Sequence, residues 1–313
     1  MISFRLRLAT RLSAYSGMAW STVSGLPNGQ ALTCWMATSI DSWPAVPGAV
    51  ATGLSPCAIH DGMSNGEIVE IDRPTGWPAD VKAYIRALAE TVPDHVTDGG
   101  DLPYEVDLTG RDIELRDLLA GRWLRSFHAT RLLDYEVEDV QTSGLRVLTQ
   151  SLVEDRQDKA LANEVITRDE HAALRDSSVF TAGGKSVQYR VGKVCLAGNA
   201  QPLHDHPYGF SHQLSNWGGE AQYATNAWEH LDSARVKRLG RPAIVVGLLD
   251  VSDPTVAVVT SHALIYAFVA SHQRMANIGS QIDFEADIAG AQIEDIWQPG
   301  QHEYDQFERL PRV

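Results

Sequence analysis

The stretch Trp123-Leu124-Arg125-Ser126-Phe127-His128-Ala129-Thr130-Arg131 decides the reading of the fold. Trp123 to Ala129 reads as a β-strand, rich in large apolar residues, with a histidine and a threonine at its end. Asp134 then stands where a short carboxylate can satisfy the free N–H groups of a helix start. The helix that follows buries Val137 and Val140 and stops at Gly144, because glycine tolerates the backbone that ends a helix.

Beyond that unit, Ser151 with Glu154 and Thr167 with Glu170 have capping-box spacing and open two successive helices. Gln188 to Leu196 reads as a strand. Ser215 and Asn216 precede a helix that runs to about Leu231. Ala243 to Val251 is a strongly apolar, β-branched strand, and Ile282 to Ile288 and Ile293 to Trp297 read as two more. Towards the N-terminus, residues 66–71 form a short strand. A helix opening at Pro78 carries Val81, Tyr84, Ile85 and Leu88 at helical spacing and ends before Pro93. Residues 111–120 form a short amphipathic helix, and a boundary falls near Gly121. Residues 1–62 show no sustained period; they are either a loosely packed extension or a stretch ahead of a true start at Met63. The chain therefore divides into an extension (1–62), a small N-terminal α/β region (63–120) and a larger domain (121–313). Strands and helices mix without strict alternation, which favours an α+β fold over a doubly wound sheet.

The 313 residues are 44% hydrophobic, enough for one large domain or two small ones. Lys and Arg total 26 against 40 Asp and Glu, a net charge of -14. Such a surface repels nucleic-acid backbones and anionic lipid, so non-specific wrapping of DNA is not expected. Cys34, Cys57 and Cys195 form no zinc spacing, and an odd count does not suit a disulfide framework. No apolar run approaches the roughly 20 residues that span a bilayer, so no membrane partner is expected. Arg5, Arg7 and Arg11 are not followed by the apolar stretch of a signal peptide. The expected address is cytoplasmic.

A strand ending in His128-Ala129-Thr130, then a helix closing on Gly144-Leu145, resembles the opening of the ADP-ribosyltransferase catalytic fold in its diphtheria-toxin and poly(ADP-ribose) polymerase branch. The resemblance covers about residues 121–300 and rests on order and spacing. It implies a split, twisted β-sheet around an NAD cleft, with NAD as substrate and a protein or nucleic-acid acceptor. It implies that His128 binds the nicotinamide-side ribose and that the backbone of Ala129, where the family often has glycine, helps hold the nicotinamide amide. Thr130 completes that strand end. The implied reaction is transfer of ADP-ribose from NAD, or hydrolysis of NAD, as suits a bacterial toxin or defence effector. Read without the resemblance, His128 is a hydrogen-bonded histidine at a strand end.

Three further segments bear on the site. The family's second conserved strand carries an aromatic residue that stacks on nicotinamide; this chain has Val194-Cys195-Leu196 there, with Tyr189 at the start of the strand. Tyr208, Phe210, Trp217 and Tyr223 are the other candidates for the stack. Trp217-Gly218-Gly219-Glu220 places poor helix formers at an expected helix start, a use of glycine that fits close approach by a ligand. Glu220 either orients a ribose hydroxyl or complements the helix dipole. Glu285 stands on a late strand, where the resembling family keeps its catalytic glutamate, and a carboxylate there would stabilise the charge that develops as nicotinamide leaves; read without the resemblance, it is an exposed glutamate on an edge strand. The expected catalytic residues are therefore Glu285, Glu220 and His128. The expected NAD contacts are His128, Ala129, Thr130, Trp217, Gly218, Gly219 and Tyr223.

Two other readings stay open. One is a nucleotide-binding module without catalysis. The other is a metal-dependent hydrolase built on His204, His206 and His212, although Pro207 and Gly209 mark that segment as a loop and no cysteine stands near it. The cluster Arg235, Lys237, Arg238 and Arg241 reads as a solvated face beyond a helix end.

Overall fold

A computed structural model describes residues 66–182, 189–205, 209–219, 238–259, 263–276 and 278–312, together with two short strands nearer the N-terminus. The chain divides into two compact units, Met1–His60 and Asp61–Val313. In the first, β1 (Thr22–Val23) pairs antiparallel with β2 (Leu32–Thr33). The expectation of an unpatterned 1–62 lies otherwise outside the described residues.

The second unit is built on a seven-stranded sheet. Its strands are β3 (Ile68–Val69), β4 (Trp123–Leu132), β5 (Val194–Ala197), β6 (Arg241–Leu249), β7 (Ala257–Val259), β8 (Gln281–Phe284) and β9 (Ile293–Trp297). The order is β7-β8-β5-β4-β6-β9, antiparallel throughout, with β3 lying parallel on β4. On one side of β4 the ladder to β6 is unbroken from Leu124↔Leu249 to Leu132↔Arg241. On the other side β4 and β5 share one pair, Phe127↔Ala197. The sheet is therefore continuous but loosely joined at its centre.

Helices cover both faces. Among the described residues they are α1 (Ala79–Ala89), α2 (Leu102–Glu105), α3 (Asp112–Leu119), α4 (Asp134–Ser143), α5 (Gln150–Ala162), α6 (Arg168–Ser177), α7 (Val179–Ala182), α8 (Gln201–Asp205), α9 (Gly209–Ser215), α10 (Leu264–His272) and α11 (His302–Asp305). Successive strand side chains point to opposite faces. Leu124 and Leu132 of β4 accordingly join a large core with Val81, Ile85, Leu115 and Leu264 to Ala270 of α10, whereas Phe127 and Ala129 join a second core with Leu203, Leu214, Tyr304 and Phe307. Residues 66–120 share the large core with the strands that follow them. Ala243 to Val246 of β6 are wholly buried, which is why that strand reads as a continuous apolar run. The architecture is mixed α+β. Among the described residues no helix is long and apolar enough to cross a membrane.

Local sequence explains most element ends. At α6, Glu170 N–H donates to Thr167 Oγ1 (3.2 Å) and Thr167 N–H to Glu170 Oε2 (2.7 Å), the expected capping box. For α5 the cap is Thr149, which accepts from Leu152 N–H at 3.0 Å, two residues ahead of the expected Ser151. Asp134 is the first helical residue of α4 rather than its cap, and Glu136 closes the N-terminus by accepting from Leu133 N–H. Gly144 ends α4 at φ +89, as expected. The expected strand Ile282–Ile288 is shorter and earlier, Gln281–Phe284, because Ile288 turns away to bridge Leu145. Ser215 closes α9, and Asn216 to Gly219 form a turn. Residues 220–237, where the expected helix lies, are outside the described residues.

Candidate functional site

A cavity opens where β4 and β5 part. His128, Ala129 and Thr130 of β4 form one wall, and Val194 and Cys195 of β5 face them. Leu145 and Leu148 close it from the segment after α4, and Leu152 and Arg156 from α5. Gln213, Gly218 and Gly219 arrive from α9 and the turn beyond it. The expected pieces His128-Ala129-Thr130 and Gly218-Gly219 are thus brought to one place, although about 90 positions separate them in the chain. Arg131 helps fix that geometry: it donates to the carbonyls of Leu214, Arg238, Leu239 and Gly240, tying the end of β4 to the end of α9.

His128 occupies the gap in the sheet. One register step past the Phe127↔Ala197 pair, its Nδ1 lies 2.9 Å from the Cys195 carbonyl. A carbonyl oxygen only accepts, so Nδ1 carries the proton. Burial, supported by the nearby Arg156 charge, holds the ring below the usual histidine range despite that hydrogen bond. The neutral tautomer therefore presents Nε2 as an acceptor, the form suited to a sugar hydroxyl.

Beside the neutral Thr130 and Gln213, the lining carries four cationic side chains: Arg146, Arg156, Arg190 and Lys193. In a chain of net charge -14 this concentrates positive potential in a recess. Arg156 is held by Glu136, with Nε to Oε1 at 2.5 Å and Nη2 to Oε2 at 3.0 Å, and its guanidinium lies 5.2 Å over the Trp217 ring. Burial works against that charge, but the Glu136 carboxylate outweighs it and the pKa of Arg156 is raised. Lys193 Nζ is 3.4 Å from both Asp283 and Glu285. Cys195, opposite Asp283 in the β5·β8 ladder, has its thiol pushed up to about 11 by burial.

The other expected site residues lie apart from this lining. Trp217 is 1% exposed, packs with Ala160, Ile166 and Leu174, and donates Nε1–H to Glu136 at 3.1 Å. It supports the cavity from behind. Glu285 follows β8, 42% exposed, and meets the cavity through Lys193. Tyr189 is half exposed in the turn before β5, and Phe210 packs on the second core. Glu220, Tyr223 and Tyr208 lie outside the described residues. His204 packs on Phe307 with ring centroids 4.5 Å apart. His206 and the side chain of His212 are outside the described residues, among which no group of three or more His, Cys, Asp or Glu is placed to hold a metal.

Sequence reasoning missed Arg146, Arg156, Arg190, Lys193 and Glu136. Each looks like an ordinary surface charge on a helix or turn; only the tertiary fold gathers them at the cavity, where Arg146 stays about half exposed. No family model, curated protein or solved structure matches this chain.

Proposed function

We propose that the cavity binds NAD and that the protein is an ADP-ribosyltransferase or NAD glycohydrolase. The observation that carries this reading is the meeting of His128-Ala129-Thr130, Gly218-Gly219 and four cationic side chains in one recess. The neutral His128 ring accepts from a ribose hydroxyl, and the Ala129 backbone lies beside the nicotinamide amide. The cations offset the diphosphate charge. Cleavage breaks the bond between nicotinamide nitrogen and ribose C1′. The electron pair leaves with neutral nicotinamide, and the sugar passes through an oxocarbenium-like state. Water or an acceptor then bonds to C1′ and loses a proton. Glu285 is the carboxylate assigned to that developing charge, with Glu220 its rival.

Release of nicotinamide from NAD tests the reading. His128→Ala should abolish turnover while the fold persists. Unchanged turnover with unchanged NAD affinity in that variant would refute the assignment. Glu285→Gln should lower kcat by roughly a hundredfold, and Glu220→Gln should act mainly on KM. A parental rate in Glu285→Gln with a dead Glu220→Gln would move the chemistry to the Trp217–Glu220 segment.

One observation favours a second reading, a nucleotide-binding module without catalysis. The Glu285 carboxylate is occupied by Lys193 and does not itself line the cavity. Tight NAD binding with no nicotinamide release would decide for it.

A further inference from the structure

We propose that Arg156 receives the diphosphate of the ligand, and that Glu136 and Trp217 are positioning residues that fix both Arg156 and the Gly218-Gly219 turn. The proposal rests on the reading of the cavity as a nucleotide site and names the group within it that takes the anion.

The cavity cations are not held alike. Arg146 meets Asp155 at 3.4 Å with both side chains largely exposed, a loose surface pair. Lys193 is drawn towards Asp283 and Glu285. Arg156 is fixed on several sides at once. Its Nε and Nη2 bond Glu136, Nη2 also donates to the Arg131 carbonyl at 2.9 Å, and one face of the guanidinium is covered by the Trp217 ring. Among the described residues no acceptor meets Nη1, and Arg156 lines the cavity. A planar cation immobilised on all but one side is pre-organised for an anion on that side.

Glu136 gives the arrangement its coherence. It is 5% exposed and accepts from Leu133 N–H (2.8 Å), Trp217 Nε1–H (3.1 Å) and Arg156. One buried carboxylate therefore ties together the end of β4, helix α5 and the residue just before the two glycines. Those glycines adopt φ +85 and +54, and at Gly219 an added Cβ would meet nothing within 4 Å. The turn is thus left open towards the cavity at the point where Trp217 anchors it.

The test uses the full chain in calorimetric titrations with ADP-ribose, inorganic pyrophosphate and NAD, with near-ultraviolet circular dichroism reporting the fold. The wild type should bind all three, more weakly at higher salt. Arg156→Gln should weaken ADP-ribose binding by roughly thirtyfold or more, the usual scale for losing a charge-assisted hydrogen bond. Arg156→Lys keeps the charge opposite Glu136 but loses the fork, and should weaken binding by about tenfold. Arg146→Gln should have a smaller effect than either. Trp217→Phe keeps the ring and removes the N–H, so it should raise KM for NAD severalfold with kcat nearly unchanged. If Arg156→Gln does not fold, Arg156→Lys carries the test. Parental ADP-ribose affinity in the folded Arg156 variants would overturn the proposal and leave the NAD reading standing. A wild type that binds none of the three ligands would overturn both.

Discussion

Replacing Glu136 by alanine strips a buried carboxylate from Arg156, Trp217 and Leu133 at once. Breaking a buried ion pair by removing one partner costs about 3–5 kcal/mol, because the other charge is left uncompensated. The Arg156 side chain is a quarter exposed, so water relieves part of that cost and the lower figure applies. The indole N–H and the Leu133 N–H are stranded as well, at about 1 kcal/mol each at the low end. Members of one network do not add fully, which puts the expected loss at about 4 kcal/mol. For a unit of this size that lowers Tm by about 10 °C. The informative experiment is the double-mutant cycle with Arg156→Met. Removing both charges eliminates the stranded cation, and an apolar replacement of a buried pair is often close to neutral. Glu136→Ala/Arg156→Met should therefore be about 2 kcal/mol more stable than Glu136→Ala alone in urea denaturation. A double variant no more stable than the Glu136 single variant would show that Arg156 is not held by Glu136 as described.

The His128 pKa, depressed by burial, means that the folded state binds fewer protons than the unfolded state below the ordinary value of 6.5. The stabilising contribution is present above pH 6.5 and is lost as pH falls through the folded pKa, so His128→Gln should flatten the acid limb of denaturation midpoints; equal slopes would contradict this. Gly144→Ala should cost about 3 kcal/mol or more, because it combines backbone strain at φ +89 with a Cβ placed 1.8 Å from the Ile288 carbonyl. Gly121→Ala, at φ +76 with open space around it, should cost only about 1 kcal/mol, and equal losses in urea melts would exclude the clash. Cys195, with its thiol near 11, should be alkylated by iodoacetamide at pH 8 roughly a hundredfold more slowly in the folded than in the unfolded protein. Peptide mass spectrometry reads the modified fraction, and equal rates would refute the burial of that thiol.

What the sequence itself determined was local. Trp123 to Ala129 has to be extended, Gly144 has to end a helix, and Thr167 with Glu170 has to start one, because these depend on backbone preferences and hydrogen bonds within a few residues. Ile293–Trp297 was read correctly for the same reason. Helix α10 left no such signal: Leu264 to Ser271 are all buried, so the helix is apolar on every side and shows no period. Part of the cavity lining was named in advance, His128-Ala129-Thr130 through the resemblance and Gly218-Gly219 through the cost of glycine at an expected helix start. Its charges were not. Arg156 sits on a helix of ordinary polar composition, and nothing local distinguishes it from Arg175, which pairs at the surface with Asp158 and Glu154. Only the packing of α5 against β4 and the Trp217 turn decides that Arg156 points into a cavity and that Glu136 holds it there. Trp217 was read as a ligand contact and stands behind the wall instead. Which side of a wall a residue occupies depends on contacts with chain 60 to 80 positions away, and short-range spacing carries no record of them.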